Sequence, residues 1–184
     1  VCICVSLIIM ATFTQIKINF NIPENTLGTY LKFEYIPQIP VILFTAALLG
    51  ECWGLIAVLT YIILGLTPFF PVFALGGGMS YIFQYTFGYI FAYIFAVLVS
   101  AKLLKGRHSV VKMIQAVIFG VLIIHLIGIL YMAAIALLRH DSVAFIESWI
   151  YYQSVSKLLY DIVFSFIAVI IAAGVKRILW LLMS

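Results

Sequence analysis

Long apolar runs alternate with short polar breaks along the chain. A helix needs about 20 residues to cross the ~30 Å hydrocarbon core of a bilayer, and every run after the first is close to that length or longer. The pattern predicts a polytopic α-helical membrane protein, because a membrane β-barrel would show alternating segments of about ten residues instead. The runs cover residues 1–13, 39–66, 81–104, 111–138 and 157–175.

The run 39–66 contains one charged residue, in the sequence GECWG at residues 50–54. As a single helix it would extend about 42 Å and place Glu51 near the middle of the bilayer. Two short helices that meet at Gly50 to Gly54 would instead place the carboxylate at a water interface. We therefore expect two helices here and about six spans in all. Five is the alternative count, and the positive-inside tendency taken alone favours five.

Two polar or irregular stretches separate the early spans. Residues 14–37 are the most polar part of the chain and predict a long extracytoplasmic lid loop. Residues 67–80 form a Pro/Gly-rich outer loop that contains Pro68, Pro71 and a glycine triplet. Proline removes a backbone donor and glycine permits unusual backbone angles, so residues 64–89 predict irregular backbone that forms the wall of a cavity.

Composition supports a single transmembrane domain over residues 1–184. The chain is 66% hydrophobic and 9% charged, with a mean hydropathy of +1.27. The net charge of +4 does not indicate nucleic-acid binding, because the basic residues lie at the ends of apolar runs. The densest basic cluster, residues 102–112, is expected in the cytoplasm, residues 139–153 outside, and the last span is expected to stop at Lys176 and Arg177. We expect a multi-pass protein of the cell membrane.

Ionisable residues within apolar runs are costly and therefore indicate function. Asp161 and His125 are the main candidates, and Lys157 lies one helical turn before Asp161 on the same face. The alternatives are a structural Lys157–Asp161 ion pair and a histidine that only bonds a neighbouring carbonyl.

Four tyrosines recur at intervals of four residues: Tyr81, Tyr85, Tyr89 and Tyr93. We expect Tyr81 and Tyr93 to be interfacial anchors. Tyr85 and Tyr89 are predicted to lie deeper, where pocket lining and simple packing are both reasonable roles, and Gln84 is a further polar candidate.

Catalytic motifs are missing from the sequence. There is no GxxxxGK[ST] phosphate loop, no HExxH and no GxSxG. The three cysteines form no CxxC or Cys/His cluster. The sequence thus predicts no catalytic residue, no cofactor and no metal site. If the chain were part of a transporter, it would need an ion gradient or an energising partner.

Three segments resemble a known family in their order and spacing. IPQIPVILFTAALLG (36–50), LTYIILGLTPFFPVFALGGG (59–78) and YTFGYIFAYIFA (85–96) are similar to the core of the BioY family, the biotin-binding S components of energy-coupling-factor (ECF) transporters. The likeness covers about residues 30–105, and IHLIGILYM (124–132) resembles the fifth helix of a subgroup.

The resemblance implies a compact all-α bundle of six helices with a vitamin pocket that opens to the outside beneath the loop after the first helix. It also implies an ECF coupling membrane protein and cytoplasmic ATPases as partners. Family members often carry Asp and, three residues later, Lys in the last helix. Here Asp161 matches the acid, but the lysine position is Phe164, and YTFGY lacks the expected proline and second glycine.

The expected function is binding and uptake of biotin, energised by ATP hydrolysis on partner subunits. Asp161 would accept the ureido N–H groups, and His125 or Gln84 would serve the ureido oxygen. Tyr85, Tyr89 and Phe87 would stack on the ring. Lys157 would replace the missing lysine. Alternatives are an S component for another small vitamin and a non-transporting membrane scaffold; an intramembrane enzyme is the least expected.

Overall fold

The computed structural model describes residues 1–20, 31–74, 76–106 and 109–183, with side chains at 17–20, 31–34 and 183 left aside. Among the described residues nearly all regular secondary structure is helical, apart from one two-stranded ladder, so the predicted all-α class is confirmed. The longer helices are α1 (Cys2–Phe13), α2 (Gln38–Leu66), α3 (Phe87–Leu103), α4 (Val110–Leu138), α5 (Val143–Ile150) and α6 (Leu158–Met183).

Helix α2 folds back on itself in the middle. The Gln38 side-chain amide donates to the Tyr61 hydroxyl over 2.7 Å, although the two residues are 23 apart in sequence. A straight helix would separate them by about 34 Å. The reversal occurs at Gly50, whose φ of 78° and ψ of −168° are closed to residues with a side chain. The prediction of two helices that meet at this glycine is confirmed.

The two ends of the bundle differ in chemistry. At one end Lys105 Nζ lies 3.8 Å from the Glu51 carboxylate, beside the Gly50 reversal. At the other end Gln38 also donates to the Thr12 hydroxyl over 2.9 Å, which joins α1 to both halves of α2. The described residues of the polar stretch 14–37 and of the Pro/Gly-rich loop 67–80 therefore lie at the end of the bundle opposite Glu51.

By length and composition, three stretches could cross a bilayer: Gln38–Leu66, Val110–Leu138 and Val143–Leu182. Cys2–Phe13 and Phe87–Leu103 are shorter apolar helices. The five-span count depended on a single straight helix over 39–66, which the structure does not have. The number of crossings stays a prediction.

Part of the polar stretch 14–37, expected to be a loop, is regular structure. Strand β1 (Ile16–Phe20) pairs antiparallel with β2 (Leu31–Tyr35), with Ile16 opposite Tyr35 and Phe20 opposite Leu31. Residues 21–30 lie outside the described part of the chain. The ladder ends at Tyr35, which is buried and leads directly into α2.

The span expected to begin at Tyr81 begins later. Met79–Phe83 forms a 3₁₀ turn, and α3 starts only at Phe87. The preceding loop is held to α2 by a bond from Gly78 N–H to the Gly65 carbonyl, 2.8 Å long. Gly78 has a φ of 89°, in the left-handed region that favours glycine, and it immediately precedes the 3₁₀ turn.

Two boundaries in the last third of the chain also differ from expectation. The outer loop 139–153 contains α5 and the start of a π-helical turn, Tyr151–Val155. The last helix does not stop at Lys176 and Arg177 but continues to Met183. Charged residues mark a membrane interface without breaking a helix, and no glycine or proline follows them.

The α3–α4 contact depends on reciprocal aromatic–glycine packing. The Tyr131 side chain of α4 covers Gly88 of α3, and the Tyr89 ring of α3 covers Gly128 of α4. A Cβ at either glycine would overlap the ring. This packing fixes Tyr89 in a single position, close to the buried polar groups described below.

Replacement of Gly50 by alanine should destabilise the protein by about 1–3 kcal/mol, because an added Cβ is strained at that backbone conformation. The measurement is the thermal unfolding midpoint of the detergent-purified protein. Gly174→Ala is the matched control, since Gly174 lies within α6 and a Cβ there meets nothing within 4 Å. Equal midpoints for the two variants would contradict the assigned reversal.

Candidate functional site

The Asp161 carboxylate lies at the centre of a buried polar cluster. It is in the first turn of α6 and is only 2% exposed. The Tyr35 hydroxyl donates to its Oδ1 over 2.8 Å, and His125 Nε2 lies 3.1 Å from its Oδ2. Burial of a carboxylate is costly unless it is hydrogen-bonded, so these two contacts make the position of Asp161 possible. They bring together β2, α4 and α6.

Tyr35 is suited to be a permanent donor to this carboxylate. It lies in the ladder, outside the membrane-spanning helices, and is 1% exposed. Burial, followed by the negative charge of Asp161, raises the pKa of the Tyr35 phenol far above its usual value. The hydroxyl therefore stays protonated at any physiological pH.

His125 has one ring nitrogen engaged and one unused. A carboxylate only accepts hydrogen bonds, so Nε2 carries the hydrogen that points to Asp161. Nδ1 is then an acceptor in the neutral imidazole, and it is buried with no hydrogen-bond partner among the described residues. The Tyr89 ring lies edge-on to the imidazole, with centroids 6.1 Å apart. Because buried polar atoms are usually hydrogen-bonded, this nitrogen is a candidate contact for a bound molecule.

A cavity of about 100 Å³ adjoins this cluster and includes four of the six predicted site residues: Tyr89, His125, Lys157 and Asp161. Ala74 of the Pro/Gly-rich loop lines this cavity. This agrees with the prediction that residues 64–89 form the wall of a cavity. The other lining residues are Tyr35, Ile36, Gln38, Ile39, Tyr81, Thr86, Ile90, Tyr93 and Gln153.

Lys157 supplies the cavity with a cation. Its Nζ donates to the Gln153 side-chain oxygen over 2.9 Å, and both residues line the cavity. Asp161, by comparison, is held by Tyr35 and His125. The cavity thus carries a positive group and a carboxylate on consecutive turns.

The four-residue tyrosine repeat is not one helix face. Because α3 begins at Phe87, only Tyr89 and Tyr93 lie on a common helical face. Tyr81 and Tyr93, expected to be interfacial anchors, are instead buried and line the cavity. The Tyr93 hydroxyl has no hydrogen bond to a described residue, whereas the Tyr89 hydroxyl is 2.6 Å from Ser154 Oγ.

Tyr85 and Gln84 lie outside the cavity lining. The Tyr85 hydroxyl donates to Asp141 over 2.6 Å, and the Arg139 guanidinium lies 4.6 Å from the centre of its ring. Gln84 is exposed at the end of the 3₁₀ turn.

Sequence reasoning missed several cavity residues, of which Tyr35, Gln38 and Tyr93 matter most. Tyr35 and Gln38 flank Pro37, at the junction of a polar stretch and an apolar run. A polar or aromatic residue at such a junction is a usable signal, but only the fold-back of α2 brings this junction to the cavity.

The model of the BioY family matches residues 1–180. The chain belongs to the BioY family. No curated protein matches it.

The fold of this BioY-family chain is similar to a crystal structure, at 2.1 Å, of the S-component for biotin from an ECF-type ABC transporter. The TM-score is 0.69 at 21% identity, and the match covers 95% of this chain and 87% of that chain. The likeness shows a shared fold, and the compact S-component-like bundle implied by the sequence is confirmed.

Substitution of Tyr35 by phenylalanine should destabilise the ligand-free protein by about 1–3 kcal/mol, because it removes a donor to a buried carboxylate. Thermal unfolding in detergent measures the loss. Tyr152→Phe is the control, since Tyr152 is 70% exposed. If Tyr35→Phe unfolds at the same temperature as the control, the Tyr35–Asp161 bond does not support the fold.

Proposed function

We propose that this BioY-family chain binds biotin and acts as the membrane subunit for its uptake. The family and the shared fold support a substrate-binding subunit. The observation that supports the choice of ligand is that two acceptors, the Asp161 carboxylate and His125 Nδ1, belong to residues that line the same cavity. A bound molecule with adjacent N–H donors would satisfy both.

The ureido ring of biotin has two N–H donors and one carbonyl acceptor. Asp161 has lone pairs to spare beyond its contacts with Tyr35 and His125, because an ionised carboxylate accepts about four hydrogen bonds. In our proposal Asp161 and His125 Nδ1 accept the two N–H groups. This assignment differs from the expectation that His125 serves the ureido oxygen, since Nδ1 is an acceptor. Tyr93 also lines the cavity, and its hydroxyl is the proposed donor to that oxygen.

Apolar contacts would hold the thioether ring. Tyr89 and Ile90 come from α3 and Ile39 from α2, and all three line the cavity. The Tyr89 ring cannot move toward α4, because it already fills the space above Gly128. A rigid aromatic wall with a few convergent polar groups is typical of small-molecule sites.

Lys157 is the proposed partner of the biotin carboxylate. Phe164, at the position where the family often has lysine, packs its ring 5.2 Å from that of Tyr35 and does not line the cavity. Lys157 does line it, near the outer end of α6. The cation would therefore reach the ligand from the turn before Asp161 rather than from the turn after it.

Uptake requires energy that this chain does not supply through any phosphate-binding loop. We propose that an ECF coupling membrane protein and cytoplasmic ATPases drive transport, with this chain as a multi-pass subunit of the cell membrane. The end of the bundle that carries Glu51 and Lys105 would face the cytoplasm, and the cavity would face outward.

The purified protein should be stabilised selectively by biotin in a panel that includes thiamine and riboflavin. A ligand that binds only the folded state adds about 2.7 kcal/mol at one hundred times its dissociation constant. The measurement is the shift of the thermal midpoint in detergent. A shift with a different vitamin would retain the S-component function and replace the substrate, and no shift with any vitamin would favour the scaffold alternative.

Lys157→Ala should weaken biotin binding about tenfold or more, because loss of one charge-assisted bond costs about 1.5–3 kcal/mol. Biotin methyl ester, which lacks the carboxylate charge, should bind the variant and the original protein with similar affinity. Lys102→Ala is the control, as Lys102 is exposed and outside the cavity lining. Unchanged biotin affinity in Lys157→Ala would rule out this role for the lysine.

A further inference from the structure

We propose that the seam between α4 and α6 binds an acidic phospholipid of the cytoplasmic leaflet. The site lies at the end of the bundle opposite the biotin cavity: Lys176 follows Asp161 by 15 positions, or about 22 Å of helix. Two adjoining grooves form it, one basic and one apolar, and they match the two chemical parts of a phospholipid.

The basic groove has a volume of about 550 Å³ and is bordered by Met113, Ala173, Gly174, Lys176, Arg177 and Trp180. Lys176 and Arg177 are exposed, and neither forms an ion pair with a described residue. No acidic side chain is among the residues that border the groove. Glu51, the described acid at this end, lies 3.8 Å from Lys105, in a neighbouring groove that Lys176 also borders.

The apolar groove lies farther into the membrane along the same seam. It has a volume of about 320 Å³ and is bordered by Ile114, Val117, Ile118, Ile162, Val163, Phe166 and Ile167. Ile114 directly follows Met113 of the basic groove, and Ile167 precedes Ala173 by about 9 Å of helix. The two grooves therefore follow one another along the same pair of helices.

A phospholipid fits this arrangement better than a soluble anion or an uncharged lipid. Two unpaired basic side chains at the membrane surface attract a phosphate, and each favours an acidic headgroup by a factor of about five. Trp180 is 69% exposed, as is usual for an interfacial indole. The apolar groove would take an acyl chain, which a free phosphate lacks.

Gly174 keeps the basic groove open. A Cβ at this position would meet nothing within 4 Å, so a larger side chain fits without disturbing the helix. Gly174→Leu should therefore fill the groove while the charge and the fold are retained. This variant therefore distinguishes a binding groove of defined shape from simple electrostatic attraction to a charged surface.

The test uses Trp180 as the only tryptophan, in a full-length Trp53→Phe/Trp149→Phe background reconstituted in phosphatidylcholine nanodiscs. Brominated phosphatidylglycerol should quench Trp180 at a mole fraction at least about fivefold below that required of brominated phosphatidylcholine. Lys176→Gln/Arg177→Gln should abolish this preference. Gly174→Leu should weaken quenching by both lipids. Thermal midpoints verify that each variant is folded.

Lys102→Gln/Lys105→Gln removes the same charge from the same end and should retain the preference. Equal quenching by the two lipids would overturn the proposal, as would a preference that persists in Lys176→Gln/Arg177→Gln. A preference lost equally in the control pair would show diffuse surface attraction in place of a site. Loss of partner co-purification in Lys176→Gln/Arg177→Gln, with lipid preference intact, would assign the seam to a protein contact.

Discussion

Burial of the Asp161 carboxylate is the constraint on which the cavity end of this protein depends. A carboxylate that is 2% exposed inside an apolar bundle is stable only with donors around it. Tyr35 and His125 supply them, and they come from the ladder after α1 and from the middle of α4. One side chain thus fixes the relative positions of three elements that are far apart in sequence.

The same constraint connects the fold to the proposed binding site. Tyr35 lies at the end of β2, so the bond to Asp161 holds the ladder against the bundle beside the cavity. Tyr89 is fixed by the packing of its ring over Gly128 and by its bond to Ser154. On the α3 side the cavity wall is therefore held by side-chain packing and a hydrogen bond. On the β2 side a hydrogen bond joins the wall to Asp161, the group proposed to bind the ligand.

The sequence predicted the membrane class, the break at Gly50 and the irregular loop before α3. It also singled out Asp161, His125 and Lys157, which line one cavity in the structure. It did not predict the ladder, the 3₁₀ turn at Met79–Phe83 or the full length of α6. Those features depend on pairing and capping contacts between segments. The tyrosine repeat is instructive: even spacing indicates one face only if a single helix contains all four residues, and α3 begins after Tyr85.

The features that the sequence determined by itself depend on the solvent preference of side chains and on local backbone chemistry. Apolar runs require a bilayer, a buried ionisable group requires a partner, and glycine between two apolar runs permits a reversal. Only the tertiary structure decided which polar groups meet. The fold-back of α2 brings Gln38 to Tyr61, and the packing of α4 against α6 brings His125 to Asp161, because contacts between distant residues depend on helix orientation rather than on spacing along the chain.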